Sequence, residues 1–557
     1  MNLIIPQTLK PIAHFLETHV TTILTWGSHQ IYDQLCQRHE KHPLMVLWAT
    51  LDFGELEKVC QDYHLKNGKG RGVAYGVDTL LKIIFLRYYG GHSLRDTVFQ
   101  VETNMLYKFF VGLNLWEKAP SYVTLSLFET YLMEKEPRLF FDEILRQIDE
   151  WCPEDKKRTQ IGDTYAMLAN AAEETLIRRL RHCHQMVLRF LKKSEQSELL
   201  TTIEGDKLLG SKEEKKEQYL SKTEKSTRLT TTIQASNQLL KHPVIAGSEE
   251  EEIRHWVAII EKIIADELAI TQNDQEEITA VTLLPDNQRG SYRICSATDP
   301  DATIRNHGEG KKDFGYNASI LTTTHFIREL QVDTGSRPDP KAIPEMLASQ
   351  KEHHGFYPEK LVYDQAAGDG KHFATVEETT HKQTQLVVYP KRQKKSDKQF
   401  TPKHFSLSED GSTLTCPNGR ISTRRYRHGK DEGHTFRFVA PQCVGCPLLK
   451  PCRGLDPDAT PTTPRNVFVS DYTDAYLRAV AYSKTDSFKQ EMTLRPHVER
   501  IIAAVTRFGG GRQARFRGKA KCDFQAKMNG MAYNAKQLAR HLTPKARPPT
   551  LPVVAFP

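Results

Sequence analysis

The sequence predicts an α/β protein: a mixed sheet with flanking helices, preceded by an all-α domain and interrupted by a helical insertion and a small cysteine-rich insertion. Three observations carry that expectation. Apolar residues through the first 150 positions recur at helical spacing, strand-like runs bracket a long charged stretch, and Cys416, Cys443, Cys446 and Cys452 sit among turn residues.

The elements follow in order. Within 1–150, Val77, Leu80, Leu81, Ile84, Phe85 and Tyr88 keep the three-and-four spacing of an amphipathic helix. Gly90-Gly91 stops it, and Ser93 with Asp96 three positions on resembles a capping box that starts the next helix at Leu94. Pro120-Ser121 punctuates before a run through Leu127, Phe128 and Tyr131. Short helices joined by a glycine turn fit a helix-turn-helix that binds DNA ends, and equally a block that packs or dimerises. A first part of the sheet domain spans 155–400, opening with a strand from Gln160 to Leu168. It is broken at about 171–285 by Glu/Lys/Arg-rich helical sequence, whose polar patch Gly205 to Lys225 reads as a loop. Strands follow at Arg293 to Thr298, Phe314 to Leu321 and Phe326 to Val332, then a helix from Ile343 to His353, then strands at Leu361 to Asp364 and Gln385 to Tyr389. After the basic run Lys391 to Lys395, the cysteine-rich insertion takes 401–464, the core resumes over 465–545 with a basic tail, and 546–557 is expected to be disordered.

Composition leaves no room for a membrane protein. The chain has 557 residues, 26% of them charged, and no apolar run approaches the ~20 residues that span a bilayer. The first twenty residues lack a basic start, an apolar stretch and a small-residue cleavage site, so export is not expected. The net charge of +8 is concentrated: from Arg500 onward twelve basic residues, among them Arg507, Arg512, Arg515, Arg517, Lys519 and Lys521, face one acid, Asp523. That is the electrostatic footprint of phosphate binding, with a solvated charged tail as the plainer alternative.

Six of the ten cysteines are scattered and read as buried or reduced thiols. Cys416-Pro-Asn-Gly, Cys443-Val-Gly-Cys446-Pro and Cys452 differ, because their glycines permit the tight turns that aim sulfur at a tetrahedral ion. Structural Zn2+ held by these four is the expectation. Two disulfides are the alternative, and His428 or His434 is a candidate replacement for one ligand.

Three acids stand in strong local contexts: Asp163 in Gln160-Ile-Gly-Asp-Thr164, Asp364 after Leu361-Val-Tyr363, and Glu499 in Arg495-Pro-His-Val-Glu499. Brought together by a fold, three like-charged carboxylates make a poor structural cluster and a good magnesium site, since a divalent ion relieves their repulsion and can hold phosphate oxygens. Asp299, Asp301 and Asp333 are rivals. The first two read best as a turn whose side chains bond the backbone, and Asp333 as a loop residue.

In combination these pieces resemble a bacterial insertion-sequence transposase of the DDE type. The resemblance covers most of the chain: Tyr75-Gly-Val-Asp-Thr-Leu80 through Ser93-Leu-Arg-Asp96, Gly162-Asp-Thr164 with Ala169-Asn-Ala171, and Thr298-Asp-Pro-Asp-Ala302 before Gly315-Tyr-Asn317. Tyr363-Asp364, Arg495-x-x-x-Glu499, and Arg515-Phe-Arg-Gly518 with Asn534 and Leu538 complete it. It implies a ribonuclease H-like core, with Asp163, Asp364 and Glu499 as catalytic acids holding two Mg2+ ions, for which Mn2+ can substitute. Arg495, one turn before Glu499, would clamp a phosphate or orient the carboxylate. The implied partner is double-stranded DNA, both terminal inverted repeats and target, bound by a homodimer in the cytoplasm at the nucleoid. The family signature places Tyr and Lys where this chain has Met492 and Thr506, with Arg507 a substitute for the Lys. Two other readings stay open: a metal-dependent nuclease that cuts without joining, and a non-catalytic, zinc-stabilised DNA-binding protein derived from such an element.

Overall fold

The computed structural model describes residues 10–64, 75–193, 208–211, 213–306, 310–391, 400–429 and 432–543. Arg392 to Lys395, part of the polar patch after Gly205, Lys545, Arg547 and the stretch 546–557 lie outside the described residues. The chain forms two compact units, one made of 1–155, 164–338 and 499–557, the other of 156–163 and 339–498.

The first unit begins with helices, as the periodicity predicts. The helix Val77–Gly90 ends where Gly91 turns left-handed at φ 71°, and His92 N–H reaches back to the Arg87 carbonyl at 2.9 Å. Ser93 then caps Leu94–Thr103 by accepting from Asp96 N–H at 3.1 Å, and Ser121 caps Tyr122–Lys135 in the same manner. The core between these helices is aromatic: Phe53, Phe85 and Phe110 meet edge-on and stacked, with centroids 5.5 to 6.1 Å apart. Arg87 and Glu129, both buried, form an ion pair that Tyr88 joins by donating its hydroxyl to Glu129 at 2.9 Å.

Strand β1 (Gln160–Leu168) matches its expected bounds and is divided between the units, Thr164 onward belonging to the first. The insertion that follows has its own apolar core, with Leu180, Val187, Ile233, Leu239, Ile260 and Ile263 from the helices Leu176–Lys193, Lys222–Lys241 and Glu251–Glu267. Its end is not helical. A hairpin of β2 (Leu268–Gln272) and β3 (Ile278–Leu283) closes on Asn273, whose side chain accepts from Gln275 and Glu277 N–H at 3.1 and 2.8 Å.

Next, β4 (Thr303–Asn306), β5 (Lys312–Thr322) and β6 (Ile327–Thr334) pair antiparallel, β5 also lying beside β1. Gly315 is placed where β5 meets β1: a Cβ there would lie 2.1 Å from the Met167 carbonyl oxygen, so only glycine fits. The C-terminal helix Lys519–Leu542 covers β6 and satisfies its backbone. Asp523 accepts from Val332 N–H at 2.9 Å, while the Asn534 amide accepts from Ile327 N–H and donates to its carbonyl at 2.8 and 2.9 Å.

In the second unit the start of β1 runs parallel to β7 (Lys360–Val362), and β7 parallel to β8 (Gln385–Val387), with helices Ile343–His354 and Gly370–Thr379 in the intervening chain. Parallel and antiparallel pairings therefore both occur, and the mixed α/β expectation holds. The cysteine-rich stretch forms two small antiparallel sheets over an apolar cluster of Phe405, Leu414, Phe436, Phe438, Val467 and Val469.

Candidate functional site

Asp163 and Asp364 are placed by neighbouring parallel strands. The register pairs Gln160 with Leu361 and Ile161 with Val362, so Asp163 and Asp364 each stand two residues beyond a paired position. Asp364 leaves its strand as the cap of the short turn Gln365–Ala367, where its Oδ1 accepts from Ala366 N–H at 3.0 Å. Asp163 is partly exposed at 20% and faces Arg495 at 3.7 Å. Arg495 precedes the helix Pro496–Arg507, and Glu499 stands exposed in that helix's first turn, four residues on. The division between the units falls after Asp163 and again after Val498.

A residue that carries no motif braces this arrangement. Glu491 accepts from the Thr159 hydroxyl and the Lys360 ammonium, both at 2.8 Å, tying the starts of β1 and β7 to the helix Asp486–Met492. Side-chain hydrogen bonding to Glu491, the largest influence, raises the Lys360 pKa. Nothing local to Glu491 distinguishes it, because both partners are distant in sequence.

The rivals have other work. Asp299 is buried and accepts from Tyr316 Oη at 2.6 Å and Gly518 N–H at 3.1 Å, and burial raises its pKa. Asp301 accepts from Lys519 N–H at 2.8 Å, so both acids shape the turn entering the C-terminal helix. Asp333 pairs with Arg337 at 2.7 Å.

The basic tail divides. Arg507, Arg512, Arg517, Lys519 and Lys521 are exposed, although Arg512 also reaches Asp313 at 3.2 Å and Arg517 donates to the Asn170 carbonyl at 3.0 Å. Arg515 is different. Its guanidinium donates to the carbonyls of His92 and Gly91 at 3.2 and 3.3 Å and lies over the Tyr88 ring, and burial lowers its pKa. It joins the tail to the N-terminal helices.

The four cysteines gather in the second unit. Cys416 turns sharply, with Gly419 N–H on its carbonyl at 2.8 Å and Arg420 N–H on its sulfur at 3.3 Å, and Gly419 and Gly445 take the left-handed conformation. Cys416, Cys443 and Cys452 edge the apolar cluster. Burial raises the Cys452 pKa and the other three cysteines add to the rise, with Arg465 opposing it. The sulfurs are neighbours, yet no three of them approach within 4.8 Å of one another. His428 bonds Thr435 at 2.9 Å and His434 faces Asp471 at 3.7 Å.

Two family models match the chain: one described as a transposase DDE domain over residues 415–539, and one described as a transposase domain (DUF772) over residues 32–130. Both matches support an insertion-sequence DDE transposase. The DDE family implies a ribonuclease H-like fold. The DDE match contains Cys416, Cys443, Cys446, Cys452, Arg495, Glu499 and the basic residues from Arg500 to Lys536, and the other match covers most of the N-terminal helices. Neither curated proteins nor solved structures gave a match. Among the described residues no helix of this chain is long and apolar enough to cross a membrane.

Proposed function

We propose that this protein is a transposase that cuts DNA strands at the ends of its element and joins them to a target, using Asp163, Asp364 and Glu499 to hold two Mg2+ ions. The observation that supports this reading most is the matched register of Asp163 and Asp364 with Arg495 at 3.7 Å. Hard carboxylate oxygens with a nearby cation suit a magnesium and phosphate site, so the residues fit the ion. Bound there, the ions would stabilise the attacking and leaving oxygens of an in-line phosphoryl displacement. The chain itself supplies position: Ala366 N–H fixes Asp364, Glu491 fixes the strand starts, and Arg495 balances Asp163 until a phosphate arrives. The test is incubation of the protein with its element's end sequences, target duplex and Mg2+, mapping nicks and joined products. Joined products support transposition, nicks alone would reassign the protein as a nuclease, and neither would return it to DNA binding.

The tail would hold phosphates without reading sequence, through Arg507, Arg512, Arg517, Lys519 and Lys521. Replacing Lys519 and Lys521 with Ala is expected to lower affinity for specific and random duplex alike and to flatten the salt dependence by roughly two units. Arg515→Ala should instead lower the melting temperature and leave the salt slope of the folded protein intact, because its donors serve backbone carbonyls. Filter binding across a salt series separates these outcomes, and an unchanged slope in the lysine variant would refute the phosphate role.

Cys416, Cys443, Cys446 and Cys452 would take one structural Zn2+, which favours the thiolate that burial disfavours at Cys452. Cys452→Ser is expected to lose one equivalent of zinc and to expose residues 401–464 to protease. Full zinc content in that variant, or a disulfide between any two of the four, would remove this assignment.

A further inference from the structure

A second cluster of metal-competent side chains lies in the first unit, apart from the acids and the four cysteines. Among the described residues, Cys152, Glu154 and His541 bring one sulfur, one carboxylate oxygen and one ring nitrogen within 4.8 Å of one another. Their backbones are fixed by contacts that do not involve a metal. Cys152 caps the helix Leu139–Trp151, its N–H on the Ile148 carbonyl at 2.7 Å, and Asp155 N–H returns to the Cys152 carbonyl at 3.0 Å. The Asp155 carboxylate is locked by Arg328 and Thr323, so the short turn Pro153–Lys157 cannot swing, and Glu154 projects from it exposed. His541 stands in the last turn of the C-terminal helix, and Cys152 is buried.

We propose that Cys152, Glu154 and His541 bind one Zn2+ ion that fastens the end of the C-terminal helix to the end of the helix Leu139–Trp151. The donor set selects the ion class. A thiolate, an imidazole and a carboxylate suit zinc, whereas Mg2+ and Ca2+ require oxygen ligands throughout. Zinc bonds of ~2.0–2.3 Å set tetrahedral ligands roughly 3.3–3.8 Å apart, so the cluster needs only a small closure, which the exposed Glu154 side chain can supply. Electrostatics favour a cation here as well. Two helices terminate at this point, and their last carbonyls carry partial negative charge. Three protein ligands leave a fourth position to solvent. The ion's effect would be mechanical: the same C-terminal helix shields β6 through Asp523 and Asn534, so fixing its end also steadies that strand.

The test uses the full-length protein, stripped with a chelator, dialysed against zinc and measured by elemental analysis alongside circular dichroism. His541→Ala and Glu154→Gln, both at accessible positions, are each expected to bind one equivalent fewer than the wild type. Cys152→Ser should match them. Any zinc held by the cysteine-rich module is common to all four proteins and cancels in the difference. The wild type is also expected to melt at a higher temperature with zinc than without it, and His541→Ala to lose part of that shift. Equal zinc content in wild type, His541→Ala and Glu154→Gln overturns the proposal, as does an unchanged zinc-dependent melting shift in His541→Ala.

Discussion

Asp163→Asn, Asp364→Asn and Glu499→Gln are each expected to lose DNA cleavage by at least roughly a thousandfold, about 4 kcal/mol of barrier, while binding duplex DNA nearly as the wild type does. Each amide keeps the shape of its acid and removes the charge that holds a divalent ion. The three losses should not add, because residues that share one ion centre act as a unit. Asp299→Asn provides the contrast. Its carboxylate accepts from Tyr316 and Gly518 inside the first unit, so its change should lower thermal stability and reduce activity only as far as the fold loosens. Arg495→Lys keeps a positive charge but not the planar fork, and is expected to retain binding with a partial loss of rate. Single-turnover cleavage beside filter binding measures these five variants and Asp301→Asn. Full cleavage by Asp163→Asn, with loss in Asp299→Asn or Asp301→Asn at unchanged melting temperature, would move the first catalytic acid to the Asp299 turn.

The parts of this chain that were readable in advance are those whose signal is local. β1 was legible because β-favouring apolar residues surround Gly162-Asp163, and the helix beginning at Leu94 because Ser93 and Asp96 lie three apart. The hairpin at 268–283 was missed, since its strands follow directly on the helix Glu251–Glu267 and share its apolar core. Arg293 to Thr298 was expected as a strand and is irregular. Its backbone is satisfied by distant side chains instead: Ala297 N–H donates to Glu174 at 2.7 Å, and Arg179 donates to the Ile294 carbonyl. No ladder is then required to bury it.

Within the candidate site the same limit applies. Asp163, Asp364 and Glu499 stood out because each acid occupies a recognisable setting, and the first two each follow a position at which their strands pair in parallel. Glu491, Thr159 and Lys360 are ordinary surface residues by sequence and become a brace only through the fold. Arg515 misled in the opposite direction. Among so many cations it reads as a phosphate ligand, yet Tyr88 and the carbonyls of Gly91 and His92 use its planar donors within the protein. Net charge marks a surface. It does not say which members of a basic run face it.

The other large effect belongs to a buried ionic network. Arg328, on β6 and only 1% exposed, donates through Nε to Asp155 at 3.0 Å and through a second nitrogen to Asp149, and the Thr323 hydroxyl adds a bond to Asp155 at 2.9 Å. Such a cluster is a weak source of net stability, because desolvating the charges offsets most of their attraction. Removing one partner is costly, since the remaining charge stays buried without its counterpart. Asp155→Ala is therefore expected to destabilise the first unit by about 3–5 kcal/mol, read from urea unfolding. Arg328→Met alone should cost a comparable amount by stranding both aspartates. The double variant Asp155→Ala/Arg328→Met should be less destabilised than the sum of the two, the coupling measuring the pair. Zinc content offers a second readout, because Asp155 fixes the turn that carries Glu154, and Asp155→Ala should weaken metal binding at Cys152 and His541 even where the fold survives. Additive losses in the double variant would show that Arg328 and Asp155 contribute through packing alone, and that their ion pair holds neither the strand nor the turn.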